Sequence, residues 1–322
     1  MISHKIDVQT DLNQPLQLLP IFRERVWGRE DLRPFFTQMP PNQRIGEVWF
    51  TFRENATSAD VTLGELLARR PEILGRGADP EYPGVCPLLV KLLFTTERLS
   101  VQVHPDDEYA RQYHDSLGKT EAWYVVDAQP PGEVAVGFRE TITPERLKET
   151  AQSGEIETLL DWRKVRPGDA IFTPAGTVHA IGAGLTICEI QENSDITYRL
   201  YDYGRPRELH LEHGVKVSHL GPHNFDAAPV KLADGRDELV ACEYFRIERL
   251  RPKNEVHIDR GTPYYLLLIC LKGSGTIAGE PFAAGQCWMV PSHHTELILN
   301  GPGSEWIATY KAAEPLAGLH IK

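Results

Sequence analysis

The chain lacks any hydrophobic run long enough to cross a membrane. Its longest apolar stretch, residues 264–271, is far shorter than the roughly 20 residues that a spanning helix requires. Residues 1–10 contain no apolar core of the kind that marks a secretory signal peptide. The five cysteines are scattered, and no two stand in C-x2-C spacing. We therefore expect a cytoplasmic protein with no membrane partner, in which the cysteines are reduced thiols.

The chain also lacks an excess of positive charge. It contains 34 Lys and Arg against 45 Asp and Glu, so the net charge is −11, and the two signs are interspersed. This balance argues against nucleic acid or an anionic membrane surface as the main partner. An anionic ligand would need a local basic pocket. With 322 residues, 41% of them hydrophobic, the chain can form one large or two ordinary globular domains.

Short strands separated by turns dominate the sequence, which contains 26 Gly and 24 Pro. Helical signals are few. Residues 62–70 have apolar side chains at helical spacing, Thr143 followed by Pro144 is a helix start, and residues 105–113 predict one short helix. The pattern predicts a mainly β fold with a few short helices. The main strand signals before residue 200 lie at 45–52, 88–94, 99–104, 121–127, 133–138, 170–173 and 185–191. In the C-terminal part, residues 239–250 are expected to form a further single strand.

Three short motifs together supply the ligand types of a divalent metal. Gln102 and His104 stand two residues apart in a predicted strand, so their side chains point to the same face. Glu121 adds a carboxylate, and the turn that begins at Pro174 can aim His179 back toward the same interior. Each piece alone has a simpler interpretation, since most lone histidines are structural. One amide, two imidazoles and one carboxylate in combination favour a metal site.

The spacing around His179 is that of a known family of barrels. From Gly168 onward the sequence reads G-x5-P-x-G-x2-H, which resembles the second half of the metal motif of cupins, small antiparallel β-barrels. Over residues 20 to 215 the chain resembles type I mannose-6-phosphate isomerases (phosphomannose isomerases), above all the short bacterial form. The matching motifs are Arg25-Val-Trp-Gly28, Ile45-Gly-Glu-Val-Trp49, Leu99-Ser-Val-Gln-Val-His-Pro-Asp-Asp107, Gly118-Lys-Thr-Glu-Ala-Trp-Tyr124, Pro174-Ala-Gly-Thr-Val-His-Ala-Ile-Gly182 and Gln191-Glu-Asn-Ser-Asp-Ile-Thr-Tyr-Arg199.

This resemblance implies an enzyme built from two cupin (jelly-roll) β-barrels. It implies a metal-dependent aldose–ketose isomerase that interconverts mannose 6-phosphate and fructose 6-phosphate through an enediolate. It further implies one Zn²⁺ per chain, held by His104, Glu121 and His179 with Gln102 as a fourth ligand. Zinc accepts nitrogen and oxygen ligands and has no redox chemistry that could cause side reactions.

The resemblance also assigns catalytic residues. Arg199 follows Ser194-Asp195 and corresponds to a catalytic arginine; physically, a permanently charged guanidinium can stabilise an enediolate without titrating. Without the resemblance, Arg199 would be interpreted as an ion-pair partner of Asp195 or Asp202.

Four further residues are candidates for the same site. Glu189 corresponds to a proton-transfer group, with a structural pairing to a neighbouring lysine as the alternative. Lys119 precedes the ligand glutamate by two residues, shares its face and is expected to be catalytic. Lys91 stands in an apolar strand, where a lysine is unfavourable unless it is paired or functional. Lys91 and Ser100 are expected to bind the substrate.

The chain is expected to divide near residues 225–237, because a loop-rich stretch at 221–229 leads into this region. We predict a catalytic cupin domain with the metal site at 1–232 and a degenerate C-terminal cupin barrel at 233–322. The G-x5-P spacing recurs from Gly285, which indicates a diverged repeat. Glu296 stands where the metal-binding histidine would be, so the second barrel should have no metal site.

Two other classes of function remain open. A redox cupin, such as a metal-dependent dioxygenase, usually keeps an H-x-H pair, and here Gln102 replaces the first histidine. A non-catalytic sugar-binding cupin that regulates transcription would need a DNA-binding helix pair or a basic segment, and the sequence has no sign of either. The expected partner is a small phosphosugar. The sequence leaves open whether the protein is a monomer or a homodimer.

Overall fold

The computed structural model describes residues 14–223, 228–259 and 262–322. The N-terminal stretch in which no signal core was expected, residues 1–10, lies outside the described residues. In the described ranges, no helix has the length and apolar character needed to span a membrane. All five cysteines are free thiols, and Cys242 alone is not fully buried.

Antiparallel strands are the main secondary structure of the protein. Three predicted strands, at 88–94, 133–138 and 170–173, have the predicted bounds. The strands are β1 Leu16–Leu18, β2 Ile21–Arg29, β3 Ile45–Trp49, β4 Leu88–Phe94, β5 Val101–Val103, β6 Glu121–Ala128, β7 Glu133–Phe138, β8 Leu160–Lys164, β9 Ala170–Thr173, β10 His179–Ile181, β11 Leu185–Glu192, β12 Tyr198–Tyr201, β13 Val230–Ala233, β14 Arg236–Ala241, β15 Arg246–Leu250, β16 Glu255–Ile258, β17 Leu266–Lys272, β18 Ser274–Ile277, β19 Glu280–Ala283, β20 Cys287–Val290, β21 Leu297–Asn300, β22 Glu305–Tyr310 and β23 Leu319–Ile321.

The helices are short, and two of them begin at a threonine cap, of which the cap at Thr143 was predicted. Thr62 forms a capping box with Glu65, and the Thr143 side chain accepts a hydrogen bond from the Arg146 backbone N–H. The helices are α1 Leu63–Arg69, α2 Asp107–His114, α3 Pro144–Ser153, α4 Ile156–Leu159 and α5 Leu211–Val217, and a 3₁₀ turn spans Pro71–Leu74.

The chain forms two compact units. One unit comprises Ile21–Trp49 and Leu88–Ala228, apart from the undescribed residues 224–227. It contains a six-stranded sheet in the order β2-β3-β4-β11-β6-β9 and a five-stranded sheet in the order β12-β5-β10-β7-β8. Apolar residues from both sheets, such as Leu93 and Val125 on one and Val136 and Ile181 on the other, pack into one buried cluster.

The second unit comprises residues 14–20, 50–87 and 229–322, apart from the undescribed pair 260–261. Its sheets have the orders β1-β20-β17-β22-β15-β14-β13 and β19-β18-β21-β16-β23, with one apolar cluster that contains residues of both. Each unit thus has the two antiparallel sheets of a cupin (jelly-roll) barrel, and the predicted mainly β fold is confirmed.

One predicted strand of the second unit is wrong in its extent. Residues 239–250 were expected to form a single strand. They instead belong to β14 and β15, which pair as an antiparallel hairpin. The residues between them, 242–245, form the turn, and the backbone N–H of Cys242 donates to the carbonyl of Phe245. The apolar residues of this stretch extend across the turn, so their pattern does not reveal it.

Candidate active site

Two of the predicted ligands, Gln102 on β5 and His179 on β10, lie on adjacent strands of the five-stranded sheet. In β5, Val101 and Val103 pack with a cluster that includes helix residues such as Leu147, whereas Gln102 between them faces the other way. On β10, His179 lies directly opposite Gln102 in the antiparallel register. The two predicted ligands are therefore neighbours across adjacent strands.

The turn before His179 depends on a glycine. Gly176 has φ of +83°, and a Cβ at this position would lie 2.9 Å from the carbonyl oxygen of Val217. Its backbone N–H donates to the carbonyl of His104 at 2.8 Å. This hydrogen bond holds the turn next to His104, which follows β5. A turn between Pro174 and His179 was expected from the sequence.

Both imidazoles are oriented by their Nδ1 atoms. Nδ1 of His104 lies 2.8 Å from the carbonyl oxygen of Ile196, and Nδ1 of His179 lies 2.8 Å from that of Thr177. Since a carbonyl can only accept, we assign a proton to each Nδ1. Each Nε2 then carries a lone pair directed toward Glu121, at 3.6 Å from Oε2 for His104 and 3.2 Å from Oε1 for His179.

These three side chains fit a divalent cation. Their ligand atoms lie within 4.8 Å of one another, and all three residues are buried. Nε2 of His104 and both carboxylate oxygens of Glu121 have no hydrogen-bond partner in the described part of the chain. Such buried polar atoms without a partner are unfavourable, and two imidazoles with one carboxylate are a donor set that Zn²⁺ accepts.

The protonation states are consistent with this fit. Burial lowers the pKa of His179 to about 3 and that of His104 well below its ordinary value, so both rings are neutral. Burial, and then the nearby Glu189 carboxylate, raise the pKa of Glu121 to about 7 against the opposing effect of Lys119. A cation bound between these groups would favour the ionised carboxylate.

Gln102 adjoins the three residues with its amide nitrogen toward them. Its Nε2 lies 3.2 Å from Nε2 of His179, and its Oε1 accepts from the Ser100 hydroxyl at 3.4 Å. Coordination through Oε1 would require the amide to rotate by half a turn. The role of Gln102 as a fourth ligand stays a prediction.

The predicted lysines lie beside this cluster. Nζ of Lys119 is 3.5 Å from Oε2 of Glu121, as expected from their shared face. Nζ of Lys91 donates to Oε1 of Glu189 at 3.0 Å and to Oε1 of Gln191 at 2.5 Å. Lys91 and Glu189 are directly opposite each other on β4 and β11. The structure thus brings the predicted lysines and glutamates into one network.

A cavity of about 390 Å³ opens next to this network. Every predicted catalytic and substrate-binding residue lines it: Arg199, Glu189, Lys119, Lys91 and Ser100. The chain as a whole is acidic, yet the cavity wall carries more cations than carboxylates. The cations are Arg25, Lys91, Lys119, Arg199 and Arg207, and the carboxylates are Glu47, Glu189 and Asp195.

Arg199 is not held by the carboxylates considered from the sequence. Among the described residues it forms no ion pair with Asp195 or Asp202; Asp202 is instead bound by Arg205 and Arg207, at 2.8 and 2.7 Å. The Arg199 guanidinium donates through Nη1 to the carbonyl of Glu208 at 2.7 Å. The guanidinium therefore remains available to a ligand of the cavity.

An ion pair in the cavity wall was not predicted from the sequence. Arg25 donates to both oxygens of Glu47, at 3.0 and 3.1 Å, and Nε1 of Trp49 donates to the same carboxylate at 2.6 Å. Both residues lie in the motifs 25–28 and 45–49, which carried the family resemblance without a role for either side chain. Their position in those motifs was the available signal.

The chain was compared with protein families and with known proteins. Residues 16–141 match the family model described as phosphomannose isomerase type I, catalytic domain. The chain is 36% identical over 310 residues to the mannose-6-phosphate isomerase ManA of Bacillus subtilis, which covers 89% of this chain and 96% of that protein. It is 35% identical over 280 residues to the mannose-6-phosphate isomerase of Streptococcus mutans, with coverage of 82% and 87%.

Solved structures of mannose-6-phosphate isomerases have a similar fold. The crystal structure of the mannose 6-phosphate isomerase from Bacillus subtilis superposes with a TM-score of 0.83 and 30% identity over 92% of this chain and 99% of that one. A putative mannosephosphate isomerase from Archaeoglobus fulgidus, at 23% identity and a TM-score of 0.75, has the same fold. Similarity extends over most of both chains, so this chain belongs to the type I phosphomannose isomerase family.

Proposed function

We propose that the protein is a metal-dependent aldose–ketose isomerase that interconverts mannose 6-phosphate and fructose 6-phosphate through an enediolate. The observation that carries this function is the buried cluster of His104, Glu121 and His179 beside a cavity of about 390 Å³ with cationic walls. In an acidic chain, these cations supply the local basic pocket that an anionic substrate requires. The named relatives are mannose-6-phosphate isomerases.

We propose Zn²⁺ as the cofactor, one per chain, held by His104, Glu121 and His179 with Gln102 as a fourth ligand after rotation of its amide. When bound, the ion polarises substrate oxygens and so favours loss of the proton beside the carbonyl. Three protein ligands with one weak or open position are typical of catalytic rather than structural zinc sites.

The isomerisation moves one proton between C2 and C1 and another between O2 and O1. We propose that the Glu189 carboxylate moves the carbon-bound proton, since it lines the cavity and adjoins the metal cluster. Lys119 holds positive charge next to the oxygens that exchange the second proton. Arg199, which has no carboxylate partner among the described residues, stabilises the developing enediolate charge.

Lys91 and Ser100 are proposed to bind the substrate from the same wall. The ammonium of Lys91 already donates to Glu189 and Gln191, which fixes its position in the cavity. Ser100 reaches the cavity beside Gln102. A fixed cation and a hydroxyl can position the phosphosugar with little loss of conformational entropy on binding.

A coupled assay for conversion of mannose 6-phosphate to fructose 6-phosphate, before and after chelation, tests this function. We expect turnover in the metal-loaded protein, loss of turnover after chelation and recovery on addition of Zn²⁺. Turnover that survives complete metal removal would contradict metal dependence. Absence of turnover in metal-loaded protein, together with oxygen consumption and an EPR-active metal, would favour the redox alternative.

A further inference from the structure

Arg199 lies on a strand with one free edge. Its strand, β12, is the last of the five-stranded sheet and pairs on one side only, with β5. On the free side, the backbone carbonyl of Arg199 accepts from the N–H of His210 at 2.7 Å. The N–H of Arg199 donates to Nδ1 of the same residue at 3.1 Å. His210 therefore supplies the donor and the acceptor that a neighbouring strand would otherwise provide.

The same segment also holds the side chain of Arg199. The carbonyl of Glu208 accepts from Nη1 at 2.7 Å, while Nε is buried and, in the described ranges, has no hydrogen-bond partner. The guanidinium lines the cavity. Residues 208–210 thus contact Arg199 at both its backbone and its charged end, and they fix where the guanidinium stands in the cavity.

This arrangement depends on the protonation state of His210. Nδ1 can accept a backbone N–H only when it carries no proton, so the ring is neutral with its proton on Nε2. Protonation of Nδ1 would bring its N–H against the backbone N–H of Arg199, so the hydrogen bond would be lost. It would also place a positively charged imidazole beside the Arg199 guanidinium. Burial, then the Arg199 charge, lower the pKa of His210, with Glu208 opposing and His213 assisting. The charged or titratable groups around the ring are Arg199 and Tyr198 on β12, Glu208 in the loop and His213 on α5.

We propose that His210 is a positioning residue for Arg199, and that its neutral ring keeps the guanidinium in the catalytically useful place. The inference rests on the proposed function, because it assumes that Arg199 acts in the isomerisation. No motif in the sequence assigns a role to His210. The structure instead connects it to Arg199, eleven residues earlier in the chain.

Two variants separate positioning from mere packing. His210→Leu removes the acceptor for the Arg199 N–H and keeps a side chain of similar bulk. His210→Asn retains an acceptor, since its Oδ1 can take the place of Nδ1, and it cannot titrate. We would measure kcat and KM for mannose 6-phosphate between pH 5.5 and 9, with metal content and melting temperature.

We expect His210→Leu to lower kcat roughly 10- to 100-fold, as misplacement of a catalytic group does, with KM within a few-fold and bound metal unchanged. His210→Asn should keep kcat within a few-fold at pH 8, and its activity should persist to lower pH than that of the unchanged protein. His213→Asn is the matched control, because Nδ1 of His213 contacts the Tyr109 hydroxyl rather than Arg199. Its kcat at pH 8, where the His210 ring is neutral in both proteins, should be unchanged.

Three results would overturn the inference while leaving the proposed function intact. One is full kcat in His210→Leu. Another is a His210→Asn variant whose activity falls at the same low pH as that of the unchanged protein. The third is an equal loss of kcat in both variants in parallel with a lower melting temperature, which would assign a structural role. If the unchanged protein has no isomerase activity, the proposed function itself fails, and this outcome is visible before any variant is measured.

Discussion

Nζ of Lys91 lies 3.0 Å from Oε1 of Glu189, and both side chains are almost completely buried. Burial alone would lower the pKa of Lys91, but the carboxylates of Glu189, Glu47 and Asp195 together raise it. Lys91 is therefore an ammonium at neutral pH and cannot serve as a general base there. Its contribution to the site is positive charge at a fixed position.

Loss of this ammonium should destabilise the fold. Lys91→Met leaves Glu189 buried and without its cation, so we expect the free energy of unfolding to fall by about 3–5 kcal/mol. Urea unfolding at pH 7 measures this change. The control is Lys253→Met, which removes an exposed partner of Asp234 and should leave the stability nearly unchanged. An equally small effect at Lys91 would show that the buried pair is not energetically important.

Removal of one predicted metal ligand should remove the metal. We expect His179→Ala to lose most of the metal that the unchanged protein binds, and its activity, because Glu121 and His104 alone leave too few ligands. Elemental analysis of protein purified without added metal measures the content. His293→Ala, an exposed histidine of the other unit, is the control and should retain one ion per chain. Full metal content in His179→Ala would contradict the site assignment.

Arg199 should act on the chemical step. Arg199→Ala should keep its metal and fold but lose roughly 10²-fold or more in kcat, as when a charge-stabilising group is removed. Steady-state kinetics measures kcat, and elemental analysis measures the metal content. Arg166→Ala, whose side chain is 87% exposed, provides the matched loss of one arginine and should leave kcat unchanged. A normal kcat with only a raised KM would make Arg199 a substrate-positioning residue.

Glu192 should make stability depend on pH. Burial raises its pKa to about 8 from an ordinary 4.5, and Asp107 adds to this against the Thr120 backbone N–H. A carboxyl with a raised folded-state pKa stabilises the fold below pH 4.5, and this contribution is lost as pH rises toward 8. Glu192→Gln mimics the protonated form, so its stability relative to the unchanged protein should rise by up to about 1.4 kcal/mol per pH unit across this window.

Urea unfolding of both proteins at pH 5, 6.5, 8 and 9 tests this dependence. The difference between them should grow up to about pH 8 and then remain constant. Glu212→Gln, which alters an exposed carboxylate on α5, should follow the unchanged protein throughout. A constant difference at all four pH values would mean that the Glu192 carboxyl does not titrate in this window.

We propose that the chain divides into a catalytic domain, 1–232, and a C-terminal barrel, 233–322. This barrel is proposed to support the fold without contributing metal ligands. A chain that ends at residue 232 would lack β20, the partner of β1 at Leu16–Leu18. It would expose the apolar residues of residues 14–20 and 50–87, so we expect insoluble or destabilised protein. Solubility after expression and thermal unfolding measure this. A soluble, active fragment that ends there would refute the supporting role.

Local sequence rules predicted much of the fold. The strand at 88–94 and the helix that begins after Thr143 follow from an apolar run and from a cap with proline, and both were correct. The hairpin within 239–250 was missed, because continuous strand character does not reveal a tight turn. The helix α5 was also missed, as were the hydrogen bonds between Arg199 and His210, the residue before this helix, since no short-range pattern relates these two positions.

By itself, the sequence determined which ligand types the site contains and which strand faces carry them. Alternation along a strand decides whether Gln102 and His104 share a face, whatever the rest of the chain does. Only the tertiary structure decided which carboxylate neutralises which cation. Glu47 is 22 residues from Arg25, and Glu189 is 98 residues from Lys91. These partners meet because β2, β3, β4 and β11 are neighbours in one sheet, and strand order depends on the packing of the whole unit.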